Sequence, residues 1–194
     1  MKEMEITVEV FDSLEHVLRL LEEKNYKLLE KYDINDFYYS KYSIEELKNF
    51  KYKDLIANSF LLREIIDDKP KNLLTYKNKE LDANGNVIAE EKIKCEIKDL
   101  SSAIKIFNLA GINCWSKLNQ HLYVFKKGTT EFSVQVVEDL GIFIEYEENG
   151  SMSGLSAQEK INYMLNEIKK LGIKVGDDFS CKKIFLKFKK ENNK

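Results

Sequence analysis

Apolar and polar residues alternate along much of this chain, and a period of two marks β-strands. Met4, Ile6, Val8 and Val10 point one way while Glu3, Glu5, Thr7 and Glu9 point the other. From Ile88 to Lys98, the residues Glu90, Lys92, Lys94, Glu96 and Lys98 share one face. Glu131, Ser133 and Gln135 alternate with Phe132, Val134 and Val136, and Ile142, Ile144 and Tyr146 oppose Phe143, Glu145 and Glu147. Asn84-Gly85 is a hairpin signal, because its residues accept the positive φ of a tight turn, and Gly128 marks a second hairpin. Three segments carry helical spacing instead: Leu14, Val17, Leu18 and Leu21 after an Asp12 cap; Leu100, Ala103, Ile104 and Phe107 after Asp99; and Ile161, Met164, Leu165 and Ile168 after the Ser156–Glu159 capping box. Ser43 and Glu46 repeat the capping relation in a shorter turn. Asp12, its helix and the strand at Phe37-Tyr38 are echoed 87 positions later by Asp99, its helix and Val124-Phe125, which suggests two similar halves.

Few helices, each apolar on one stripe, must cover the apolar side of the sheet. The charged sides of the strands then face one another if the sheet closes. The expected fold is therefore α+β: one domain over residues 1–194, an antiparallel barrel of about eight strands, closed or nearly so, with a charged lumen and helices packed outside. Inward charges without partners would cost several kcal/mol each, so such a lumen calls for an ionic ligand. A polyanion with a divalent cation suits it, lysines holding phosphates and carboxylates the metal.

Composition narrows the field. The 194 residues carry 31 basic and 33 acidic side chains, a net charge of −2 that argues against a nucleic-acid partner. Three cysteines without a C-x-x-C pair, beside only two histidines, make a zinc site improbable and fit a reduced, cytoplasmic setting. No apolar run is long enough for a membrane-spanning helix. P-loop and G-x-S-x-G signatures are absent.

The strand motifs resemble a known family. Glu3-Met-Glu5-Ile-Thr7 looks like the first-strand E-x-E-x-K of the CYTH proteins, the triphosphate tunnel enzymes that include class IV adenylyl cyclases, thiamine triphosphatases and inorganic tripolyphosphatases. Phe37-Tyr38-Tyr39, Leu62-Arg63, Leu74-Thr75-Tyr76-Lys77, Lys94-x-Glu96, Lys117 and Leu140-Gly141-Ile142-Phe143-Ile144-Glu145-Tyr146-Glu147 follow in the family's order. The resemblance implies one or two Mg or Mn ions on Glu3, Glu5, Glu145 and Glu147, with Glu96 joining them. It implies phosphates held by Arg63, Lys77, Lys94 and Lys117.

The departures are also informative. Thr7, Ile65 and Asn119 stand where the family carries cations, and Gln135 where it carries an acid. The cyclase-type His-Phe before the first strand motif is missing, which tilts the expectation toward a phosphohydrolase acting on an organic or inorganic triphosphate. ATP, thiamine triphosphate and tripolyphosphate are the expected small-molecule partners, for a monomer or homodimer. A class IV cyclase forming cyclic AMP, and an impaired nucleotide- or polyphosphate-binding module, stay open beside it. The uncharged Thr7 predicts weak turnover that Thr7→Lys would raise.

Overall fold

The computed structural model describes residues 4–192. Eight strands make one antiparallel sheet: β1 (Glu5–Val10), β2 (Lys27–Ser40), β3 (Phe60–Ile66), β4 (Lys71–Leu81), β5 (Val87–Ile97), β6 (Asn113–Lys127), β7 (Thr130–Val137) and β8 (Gly141–Glu147). Six helices connect or cover them: α1 (Leu14–Glu23), α2 (Ile44–Leu47), α3 (Tyr52–Ala57), α4 (Leu100–Leu109), α5 (Ala157–Lys169) and α6 (Lys183–Asn192). None of the described helices is long and apolar enough to cross a membrane.

Local chemistry explains most boundaries. Both capping boxes form, Ser43 with Glu46 and Ser156 with Glu159, and Asp99 caps α4 by accepting the Ser101 N–H at 2.9 Å. At α1 the cap is Ser13, which accepts from the His16 N–H at 3.3 Å. Asp12, expected in that role, instead accepts the Lys174 N–H at 2.6 Å. Gly85 at φ +83° turns the β4–β5 hairpin, where a β-carbon would be strained.

The strand order β1-β8-β7-β6-β2-β3-β4-β5 has an inner symmetry. Reading outward from the central β6–β2 pair, β6-β7-β8-β1 on one side matches β2-β3-β4-β5 on the other. The 87-residue echo relates β1–β4 to β5–β8, and the two sides of the sheet exchange β1 and β5 between those halves. They curl the sheet into a half-barrel that is open, not closed. Among the described residues no ladder joins β1 to β5. The outer edge of β1 is taken by the segment 174–181 instead: Phe179 and Thr7 carbonyls accept from Thr7 and Cys181 N–H groups, both at 3.0 Å, and Gly176 donates to Glu9 at 2.9 Å. Ser180 then spans to β5, its Oγ accepting the Val87 N–H at 2.8 Å. An edge already hydrogen-bonded to one segment cannot pair with another strand, and the barrel stays open for that reason.

The two faces separate by parity. Ile6, Val8 and Val10 pack on the convex side with Val17 and Leu21 of α1 and Ile161, Met164 and Ile168 of α5. Ile6 and Val8 are 1% and 0% exposed, each burial contributing roughly 1.5–3 kcal/mol. Expected outside, the helices do cover the convex face at α1 and α5. At one end of the concave face, however, Tyr38, Leu61, Leu118, Val137 and Phe143 form a second core with α2, α3 and α6. The rest of the concave face carries the charged residues of β1, β4, β5 and β8 beside apolar ones such as Ile34, Leu122 and Val124.

Candidate functional site

A cavity of about 500 Å³ fills the curl of the half-barrel and is lined from all eight strands, α3 and the segment entering α6. Its two charged walls come from opposite ends of the sheet. On β1 and β8, register pairs Glu5 with Glu147 and Thr7 with Glu145. Carboxylate oxygens of Glu5, Glu145 and Glu147 lie within 4.8 Å of one another. On β4 and β5, Lys77 pairs with Lys92, Lys79 with Glu90 and Thr75 with Lys94, all on the concave face. The walls meet across the seam, where Lys92 Nζ donates to Glu5 Oε2 at 2.9 Å and stands 3.6 Å from Glu147.

Those contacts set the ionisation of the site. Burial pushes the Glu5 carboxyl up, but Lys92, Lys79 and Lys77 together overcome it and hold Glu5 far below the usual carboxylate range. Burial likewise disfavours the Lys92 ammonium, and Glu5 and Glu90 outweigh it, raising Lys92 above its ordinary value. Lys77 goes the other way: burial lowers it, and Glu90 only partly restores it.

Arg63 faces the cavity from β3 and is clamped by Asp36 of β2, its Nε and Nη2 donating to the two carboxylate oxygens at 2.6 and 2.7 Å. Gln120 Nε2 donates to the same carboxylate at 3.3 Å. Bidentate pairing fixes the guanidinium plane and leaves Nη1 donors for another ligand.

Thr7 does not stand alone. Its Oγ1 donates to Glu145 Oε2 at 3.2 Å, and Lys183 of α6 donates to that same oxygen at 3.3 Å. Lys183 also contacts the Gln135 side-chain oxygen. An ammonium from α6 therefore occupies the neighbourhood that the first strand leaves uncharged.

The expected residues divide. Glu5, Glu145, Glu147, Arg63, Lys77 and Lys94 line the cavity. Glu3 lies outside the described residues. Glu96 is exposed on β5 and apart from the acidic trio. Lys117 is on the convex face, its ammonium 5.5 Å from the Phe37 ring centre. The correction has a local cause: a bulge opposite Tyr38 and Tyr39 takes up Trp115 and reverses the alternation of β6. Leu118, Gln120 and Leu122 then face inward, and Asn119 faces out, donating to Glu138 at 2.6 Å. Asn119 leaves no gap in the cavity's charge, because it is not in the cavity. Sequence reading missed Asp36, Glu90 and Lys183 as site residues. Alternation carried a signal for Glu90, already placed with Lys92 and Lys94; Lys183 had none, because α6 itself was not foreseen.

No family model matches the chain. A candidate adenylate cyclase of Methanocaldococcus jannaschii is 26% identical over 189 residues, covering 97% of this chain and 99% of that one. The PH1012 protein of Pyrococcus horikoshii superposes with a TM-score of 0.66 at 21% identity, over 91% of this chain and 93% of that one. The Hippeastrum candidate adenylyl cyclase HpAC1, described as having a dominant triphosphatase activity, superposes at 0.62 with 14% identity, over 97% and 96%. These likenesses, taken with the curled eight-stranded sheet, fit the CYTH-like fold that the strand motifs implied.

Proposed function

We propose that the protein is a divalent-metal-dependent enzyme that binds a triphosphate in the half-barrel and hydrolyses it. One observation carries the reading: three carboxylates on β1 and β8 face a lysine-rich wall on β4 and β5 across one cavity. Such a pairing of charges suits a polyphosphate chain together with a hard cation. The similarity to a candidate adenylate cyclase and to HpAC1 supports a triphosphate as the ligand.

Glu5, Glu145 and Glu147 would hold Mg or Mn, since all-oxygen, carboxylate-rich sites suit these ions. A bound ion there would neutralise phosphate charge and act as a Lewis acid. The chain's own residues do the rest. Lys77, Lys94 and Lys183 present ammonium groups to the phosphate oxygens, and Arg63, fixed by Asp36, offers its free guanidinium edge. The half-barrel walls hold the phosphate chain extended, which favours in-line attack by water. Lys183 answers the deficit at Thr7, and so turnover is favoured over a purely binding role.

The test is phosphate release from tripolyphosphate, thiamine triphosphate and ATP with Mg or Mn, run beside a cyclic AMP assay. Saturating tripolyphosphate and Mg, at about a hundred times the dissociation constant, should raise the melting temperature by roughly 5–10 °C. Glu145→Ala with Glu147→Ala should abolish the metal-dependent part. Cyclic AMP without phosphate release would replace the hydrolase reading by the cyclase. An unchanged melting curve with every triphosphate would end both.

A further inference from the structure

Glu90 is 2% exposed, yet three ammonium groups converge on it. Lys77 and Lys92 lie 3.6 Å from its Oε1, and Lys79 contacts its Oε2. The register explains the meeting. Lys79 stands directly across the hairpin from Glu90, and Lys77 directly across from Lys92, so the four side chains form a square on the concave face. Like charges directly opposite in an antiparallel pair are destabilising, and Lys77 and Lys92 are such a pair. The carboxylate at the corner of the square offsets their repulsion. Glu90 lies beneath the lysines: their side chains keep 18%, 10% and 12% exposure, and all three line the cavity, while Glu90 does not. Each ammonium has three donors, so contact with Glu90 leaves Lys77 and Lys79 donors for a ligand above, while Lys92 also meets Glu5 and Glu147.

We infer that Glu90 is a positioning residue that gathers Lys77, Lys79 and Lys92 into one oxyanion subsite, which takes the oxygens of a phosphate chain. Three ammonium groups against Glu90 and the Glu5 that pairs with Lys92 leave a net charge of +1 at this spot, with Glu147 at its exposed rim. Other charged or titratable groups frame it: Glu5 of β1 and Glu147 of β8 reach Lys92, Tyr52 of α3 adjoins Lys79, and Arg63 of β3 acts on Lys77. Glu5 lies in the field of all three lysines and pairs directly with Lys92; Glu90 stands within 3.6 Å of all three. The identity of the anion rests on the triphosphate reading above, but the gathering of the lysines does not.

The experiment has two arms. In the first, tripolyphosphate binding with Mg is measured by calorimetry for wild type, Glu90→Gln, Glu90→Asp, Lys79→Ala and the Glu90→Gln/Lys79→Ala double variant. Glu90→Gln should lose at least tenfold in affinity, Glu90→Asp should bind within about threefold of wild type, and the double variant should lose no more than the worse single. Such non-additivity is expected when one residue acts through the other. Additive losses, as a merely structural Glu90 would give, overturn the inference, and so does tighter binding by Glu90→Gln. The second arm needs no ligand. Lysine side-chain ammonium resonances of the wild type should include slowly exchanging signals from Lys77 and Lys79, both lost in Glu90→Gln, whereas Lys92 keeps its hydrogen bond to Glu5 and is not scored. Their absence from the wild-type spectrum, or their persistence in the variant, overturns the inference. Should Glu90→Gln not fold, the wild-type spectrum and Glu90→Asp binding decide. If no variant and not even wild type binds tripolyphosphate, the proposed function fails, and the ligand-free arm still judges Glu90.

Discussion

Thr7 lies on β1 two positions beyond Glu5, so both side chains face the cavity. Alternation made that placement legible from the chain alone. The consequence drawn from it, weak activity that Thr7→Lys would raise, does not carry over, because the facing partner comes from residue 183. Lys183 and Thr7 share one oxygen of Glu145, and a second ammonium at position 7 would meet the first. Hydrogen bonds to charged groups contribute about 1.5–3 kcal/mol. Lys183→Ala should therefore weaken tripolyphosphate binding about tenfold or more, while Thr7→Lys gives no gain. Calorimetry on both variants checks this; a silent Lys183→Ala beside an improved Thr7→Lys would restore the original reading. Asn119 belongs to the same lesson: it faces out, so it reports no cation removed from beside the phosphates. Ile65 does not, because it pairs across from Ile34, which lines the cavity, and so stands on the concave face two positions beyond Arg63.

α6 ties the site to the second core. Its Ile184 and Phe188 are 5% and 3% exposed, and the Phe188 ring lies edge-on to Trp115 with centroids 5.0 Å apart. Lys187, on the same helix, is held by Asp139 at 2.6 Å. Removing a buried phenyl group costs about 3–5 kcal/mol, so Phe188→Ala should lower stability by that amount in denaturant titrations. The chain's one tryptophan should then emit at longer wavelength, and tripolyphosphate affinity should fall as well, since Lys183 opens this helix. Wild-type affinity in a destabilised Phe188→Ala would show that α6 does not position Lys183. Elements written in local chemistry were legible beforehand: capping boxes, the Asn84-Gly85 turn and the strict alternations of β1 and β8. α6 was not, because its apolar residues gain meaning only against the concave floor of Leu118, Val137 and Phe143. Lys117 failed for a related reason. A bulge reverses the phase of a strand without leaving a mark in its hydrophobic pattern.

At the scale of the molecule, alternating charges did foretell a cavity with acids and lysines facing one another, and the 87-residue echo foretold its two halves. Closure was not foretold correctly, because the segment 174–181 had no strand pattern and yet takes the edge of β1. The seam it leaves is bridged by Lys92, which reaches Glu5 and Glu147, while Lys79 and Lys77 pair with Glu90 within the β4–β5 hairpin, and these ion pairs give stability a pH dependence with a definite sign. Burial disfavours both carboxylates, but the surrounding lysines more than compensate, so Glu5 and Glu90 titrate below their ordinary value of 4.5 in the folded chain. A group whose folded value lies below its unfolded one binds more protons when unfolded. Its contribution is therefore complete above the unfolded value and shrinks as pH falls through and below about 4.5. Urea midpoints should accordingly hold steady from pH 7 to about 5.5 and drop between about pH 5 and 3. Glu5→Gln combined with Glu90→Gln should start lower at pH 7 and fall less steeply over the same window. Parallel curves for wild type and the double variant would show that the acid sensitivity arises elsewhere, and that these ion pairs contribute nothing to holding the half-barrel together.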